Sequence, residues 1–162
     1  MALNAYLTLK GAKQGDIKGS VTQKGRADSI MVIAVQHEVT SPRDAASGLP
    51  TGKRQHHPFI ITKELDKSTP LLFNALVNNE SLTEWKLQHW QPSPSGVEKQ
   101  HYTVELENAS IAYIRSIMPN NKHPELMKFA EYEEIGFTYQ KITWTWMDGG
   151  ITAEDDWESP IT

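Results

Sequence analysis

The chain has 162 residues, 38% of them hydrophobic and 22% charged, with no cysteine and a formal net charge of −4. That length suits one domain spanning residues 1–162, and a chain of this size can bury roughly two thirds of the surface its unfolded form exposes. The lack of cysteine excludes disulfides and thiolate metal sites, and no clustered excess of Lys and Arg suggests a nucleic-acid footprint.

The acidity is local. Asp148, Glu154, Asp155, Asp156 and Glu158 close the chain without a Lys or Arg, leaving residues 1–147 with sixteen basic against fifteen acidic groups. Residues 1–7 lack the basic start and the roughly 7–15-residue apolar run of a secretion signal, and no stretch approaches the ~20 apolar residues of a membrane span. The expectation is a protein made in the cytoplasm without membrane insertion, which a dedicated machine must carry if it leaves the cell.

Residues 5–10 alternate as a first strand, and the glycines Gly11, Gly15 and Gly19 then predict a loop. Its Gly and Lys are not spaced as a phosphate-binding loop. Residues 30–35, Ile-Met-Val-Ile-Ala-Val, read as a strand covered on both faces, turning polar at Gln36 and Glu38. Residues 41–54 have no period, many turn formers and a basic balance, with Arg43, Lys53 and Arg54 against Asp44. A loop that long in a compact domain is either functional or a solvated excursion.

Residues 60–79 carry the clearest strand-to-helix reading. Ser68 and Thr69 offer capping hydroxyls, Pro70 suits the first helical position, and Asn78 and Asn79 tolerate the left-handed closure of a helix. At roughly 100° per residue, Leu71, Leu72, Phe73, Ala75, Leu76 and Val77 spread apolar surface round most of the cylinder. A helix of about ten residues does not persist alone in water. Such a helix is buried on more than one side, against its own sheet and another subunit or on both sides by one core.

Residues 85–90 and 100–106 form two antiparallel strands joined by a turn at residues 92–96. Asn108, Ala109 and Ser110 break the period and predict a kink, and residues 125–130 have room for one helical turn. Further on, Glu133, Ile135, Phe137 and Tyr139 share one face, and Ile142, Trp144 and Trp146 share another, so a bulge is expected near Gln140 and Lys141. Asp148, Gly149 and Gly150 turn the chain into its acidic end.

Chemistry is sparsely marked. Adjacent His56 and His57 point to opposite strand faces, and no H-x-x-x-H or H-E-x-x-H pattern joins His37, His56, His57, His89, His101 and His123, so neither a metal nor a cofactor is expected. Glu131, Glu133 and Glu134 are the best carboxylates for acid–base work on a glycan, but strand parity separates Glu133 from its neighbours and solvated charge explains all three. No serine-hydrolase pattern is present, and an enzyme is not expected. Five tryptophans leave open a monomeric carbohydrate-binding β-sandwich, although Trp144 and Trp146 fall at core spacing.

The junction Glu64-Leu65-Asp66-Lys67-Ser68-Thr69-Pro70 and the stretch Glu134-Ile135-Gly136-Phe137-Thr138-Tyr139-Gln140-Lys141-Ile142-Thr143-Trp144-Thr145-Trp146 resemble the haemolysin-coregulated protein (Hcp) family of bacterial type VI secretion systems. The resemblance extends over the whole chain and includes the approach from Thr51 to Phe59. It implies a mainly β fold, with two antiparallel sheets in a β-barrel-like domain and one short α-helix on its side, similar to phage tail tube proteins. It implies hexameric rings that stack into the inner tube of a contractile apparatus, with a VgrG-type spike, sheath and baseplate proteins as partners and effector proteins in the lumen. Within it, Leu72, Phe73, Leu76 and Val77 are expected at or beneath the subunit contact. Gln36 is expected to face cargo. Arg43, Lys53 and Arg54 of one ring are expected to meet Asp155 and Asp156 of the next.

Overall fold

The computed structural model describes residues 1–157. In chain order it contains β1 (Ala5–Gly11), β2 (Gly15–Ile17), β3 (Ile30–Val32), β4 (Ala34–Gln36), β5 (Val39–Thr40), β6 (Gln55–His56), β7 (Phe59–Glu64) and the helix α1 (Thr69–Val77). Then come β8 (Leu82–Pro92), β9 (Glu98–Glu107), β10 (Ser110–Ile117), a 3₁₀ turn at Pro124–Leu126, β11 (Tyr132–Thr138), β12 (Lys141–Trp146) and β13 (Ile151–Asp156). A seven-stranded sheet runs β13-β12-β9-β8-β1-β2 with β3 also on β1, and a four-stranded sheet runs β10-β11-β7-β4. The ribbon β5-β6 stands apart, and all the pairings are antiparallel. The mainly β expectation with one short helix holds, and the two sheets approach a barrel without closing into one.

Alternation decides which face each strand buries. Leu7 and Leu9 on β1, Trp85 and Leu87 on β8, Val104 and Leu106 on β9 and Ile142 on β12 meet Phe59 and Ile61 of β7 and Ile135 and Phe137 of β11 in one core. Trp85 sits edge-on between Phe59 and Phe137, with ring centroids 5.0 and 5.5 Å away. Such aromatic pairs add about 0.5–1.5 kcal/mol each beyond the area they bury.

The chain turns the corners of the sandwich by letting strands change sheet. β9 ends in the large sheet, Asn108 takes φ +53°, and β10 continues in the small one, which is the kink expected at residues 108–110. A second crossing at Tyr139 and Gln140 answers the expected bulge there. The third lies at Ile33, whose N–H donates to Thr62 O at 2.9 Å between β3 and β4. It corrects the reading of residues 30–35 as one strand covered on both faces. β3 is buried in the large sheet, whereas β4 is an exposed edge of the small one, leaving Ile33 and Val35 outward. Two further differences concern short hairpins. Part of the loop expected after β1 is the strand β2, and the acidic end forms β13, an edge strand where solvated carboxylates cost little.

Candidate assembly surfaces

The strand-to-helix junction places α1. Lys63 and Glu133 are cross-strand partners on β7 and β11, both fully buried, with Nζ 2.5 Å from Oε1. Lys63 also reaches Asp66 Oδ1 at 3.1 Å, Glu64 O at 3.0 Å and Thr69 Oγ1 at 3.1 Å, and the Thr69 hydroxyl donates to Glu133 Oε1 at 3.0 Å. Asp66 Oδ1 accepts from both the N–H and the hydroxyl of Ser68. The expected hydroxyl cap is therefore absent: Ser68 is the N-cap residue, but its side chain serves the Asp66 turn, and the Thr69 hydroxyl serves the buried ion pair. The helix closes as expected at Asn79, φ +50°, with Asn79 N–H donating to Leu76 O and Glu80 N–H to Ala75 O.

α1 lies against β10. Leu72 and Ala75 are buried in the chain's own core and Leu76 packs on it, so Leu72 lies beneath any contact rather than in it. Phe73 is half-buried. Outward stand Val77, 75% exposed, and Leu71, 37% exposed. The open edge strand β4 exposes Val35, and Ile33 just before it lines a groove of about 450 Å³ with Pro119, Leu126, Phe129 and Tyr132 and the polar Thr62 and Glu134. Gln36 is exposed on that same edge strand.

Residues 41–54 form an ordered arm. Arg43 bridges Pro50, and Asp44 holds the tip by accepting from the Ser47 N–H and hydroxyl at 2.8 and 2.7 Å. β5-β6 forms the root of the arm, where Arg54 forks Asp155 at 2.5 and 2.7 Å and donates to Asp156 O at 2.8 Å. His56 Nε2 lies 2.7 Å from the same carboxylate. The expectation that Arg54 meets Asp155 of the next ring is thus corrected, because the pair closes within one chain across the β6 and β13 ends. Arg43 and Lys53 remain exposed on the arm.

The carboxylate cluster does not assemble. Glu133 is buried against Lys63 rather than solvated, Glu134 pairs with Arg115 at 3.2 Å, and Glu131 is exposed. Among the described residues, no group of three or more His, Asp or Glu is placed to hold a metal ion. Trp144 packs on the core, as its spacing suggested, but Trp146 at the β12 end is 44% exposed.

Residues 6–146 match the family model described as type VI secretion system effector, Hcp. The chain is 42% identical over 170 residues to the major exported protein of Pseudomonas aeruginosa, covering 99% of each. A solved structure described as a crystal structure of Hcp protein superposes with a TM-score of 0.89 at 34% identity, covering 96% of this chain and 100% of that one. The secreted protein Hcp3 of Pseudomonas aeruginosa gives 0.78 at 35% identity, covering 96% and 99%. With the family model matched over residues 6–146 and sequence and overall fold alike over nearly the full length of these relatives, the chain belongs to the Hcp family of type VI secretion proteins.

Proposed function

We propose that this chain is a structural subunit of the type VI inner tube. Six copies close into a ring, rings stack, and the tube carries effector proteins in its lumen and leaves the cell with them, under a VgrG-type spike and inside a contractile sheath on its baseplate. The observation that carries the reading is that one chain exposes two unlike apolar surfaces, Leu71 and Val77 on α1 and the groove lined by Ile33, Leu126 and Phe129 beside β4. Unlike surfaces that fit each other make a head-to-tail contact, which closes into a ring when the rotation allows. Hiding each large apolar side chain is worth roughly 1.5–3 kcal/mol, repeated at every interface.

Gln36, exposed on β4, is the candidate for cargo contact. Stacking falls to the arm, whose Arg43 and Lys53 meet acidic surface on the next ring. Such exposed pairs are individually worth about 0–1 kcal/mol and gain weight only through sixfold repetition. Native mass spectrometry with negative-stain imaging tests the proposal. A six-subunit mass with ring-shaped particles supports it. A stable monomer at micromolar concentration refutes it, and sugar-dependent tryptophan fluorescence would then favour a carbohydrate-binding module.

A further inference from the structure

At the root of the arm the Tyr139 hydroxyl stands between two imidazoles, 2.8 Å from His37 Nε2 and 2.7 Å from His56 Nδ1. A hydroxyl carries one proton, so it donates to one ring and accepts from the other. On its far side His56 Nε2 faces the Asp155 carboxylate, which only accepts, so Nε2 carries a proton and Nδ1 of the neutral ring is bare. The order of donors follows. His37 Nε2–H donates to Tyr139, Tyr139 donates to His56 Nδ1, and His56 Nε2–H donates to Asp155.

One added proton fits this chain. A charged His56 donates from Nδ1 to Tyr139, whose own proton swings to His37 once that ring keeps its hydrogen on Nδ1. Two added protons do not fit. Both imidazolium rings then aim N–H groups at one oxygen, and the phenolic proton has no acceptor between them.

Surroundings reinforce the limit. His37 lies against Phe59, with ring centroids 4.8 Å apart, and faces Tyr139. Burial pushes its pKa below the ordinary histidine value, and charge on His56 and His57 pushes it further. His57 stands 3.3 Å from the Thr40 hydroxyl, so β5, β6 and the residues after them all bear on the cluster. Trp157 covers His56 and donates its indole N–H to Tyr139 O, while the Asp156 carboxylate points at Gln140, 3.4 Å away. Arg54, chiefly through its hydrogen bonds, holds the Asp155 carboxyl below the usual range, so Asp155 stays charged in mild acid. Burial, then the Asp155 charge, pushes the Tyr139 hydroxyl well above the usual phenol value, so it keeps its proton throughout the histidine range.

We propose that His37, Tyr139, His56 and Asp155 form an acid-operated latch, which holds the arm at residues 39–56 on the sandwich while it carries at most one extra proton and lets go when both histidines are charged. The sign follows from His37. Its folded pKa is depressed, so the latch is fully set above the ordinary histidine range and is lost as pH falls from there through the lowered value. The consequence for ring stacking rests on the proposed role of the arm; the latch itself does not.

Because the chain has no cysteine, spin labels at Ala46→Cys on the arm and Glu84→Cys on β8 report the position of the arm. Full-length labelled protein is mixed with excess unlabelled protein so that distances are measured within one chain, at about pH 7.5 and about pH 5, the interval in which histidines titrate. The expected result is one narrow distance at the higher pH and a distribution at least about twofold broader at the lower, reversible on return. In a His37→Gln background the distance stays narrow at both values. If that variant misfolds, Tyr139→Phe, which removes the shared oxygen, is expected to give the broad distribution at both. An unchanged width in the parent, or equal broadening in His37→Gln, overturns the latch. Sedimentation of the same samples separates the two readings. An arm that loosens while rings stay stacked refutes the stacking role and leaves the latch, whereas stacks that part while the distance stays narrow refute the latch.

Discussion

Removing the charge of Lys63 should cost more than removing that of Glu133, although the two form one ion pair. Breaking a buried pair from one side costs about 3–5 kcal/mol, because the partner stays buried and charged. The two partners are unequally served. Without Glu133, Lys63 keeps Asp66 Oδ1 at 3.1 Å, Glu64 O and Thr69 Oγ1, so Glu133→Gln belongs at or below the lower end of that range. Without Lys63, Glu133 keeps the Thr69 hydroxyl alone on Oε1, and its buried Oε2 has no hydrogen-bond partner even in the parent, so Lys63→Met belongs at the upper end. For a chain of this size 1 kcal/mol moves the midpoint by roughly 2–4 °C, which makes Lys63→Met a loss of about 10–20 °C. Thermal and urea unfolding at one fixed protein concentration measure it, since assembly makes the midpoint concentration-dependent. The double variant Lys63→Met with Glu133→Leu should recover most of the loss. Equal or reversed single-variant costs, or a double variant no better than Lys63→Met, would refute the unequal-partner account.

Compared at concentrations where the parent ring is dissociated, Val77→Asp should leave the unfolding free energy of the subunit within about 0.5 kcal/mol of the parent, and at ring-forming concentrations it should abolish the ring mass, because its side chain lies outside the core. Leu72→Ala should do the reverse, losing about 2–5 kcal/mol of fold stability from a filled core. Native mass spectrometry beside denaturant unfolding checks both. Gly136→Ala places a Cβ 2.3 Å from the Tyr113 ring that crosses it, at a cost of about 1–3 kcal/mol, and adding Tyr113→Ala should relieve the strain in urea titrations. Asp155→Asn should flatten the acid limb of the stability curve. The depressed Asp155 pKa gives the parent a contribution that is complete above about pH 4 and is lost as pH falls through the lowered value, and the variant lacks it.

Much of the fold could be read because its signals are local. Strand alternation on β8, β9, β11 and β12 is set by which face each strand buries, and the positions of Pro70 and Asn79 depend on backbone preferences within a few residues. The three sheet crossings were readable in proportion to how strongly they broke that period. Asn108 and the Tyr139–Gln140 step interrupt the alternation, but Ile33 sits inside an unbroken apolar run. β13 escaped notice because an edge strand whose side chains face water needs no apolar pattern.

The candidate surfaces divide along the same line. Residue type and order by themselves determined the core faces, the over-apolar helix, the basic arm and the family resemblance, since each depends on short-range pattern or contiguous motifs. Only the tertiary structure decided that Glu133 is a buried partner of Lys63, that Leu72 points inward while Val77 points out, and that Arg54 meets Asp155 of its own chain. It also brought His37, His56, Tyr139 and Asp155 to one point from four separate segments. The physical reason is that charges and hydroxyls take partners by distance in space, up to 102 residues apart along this chain, and no periodicity in sequence encodes that proximity.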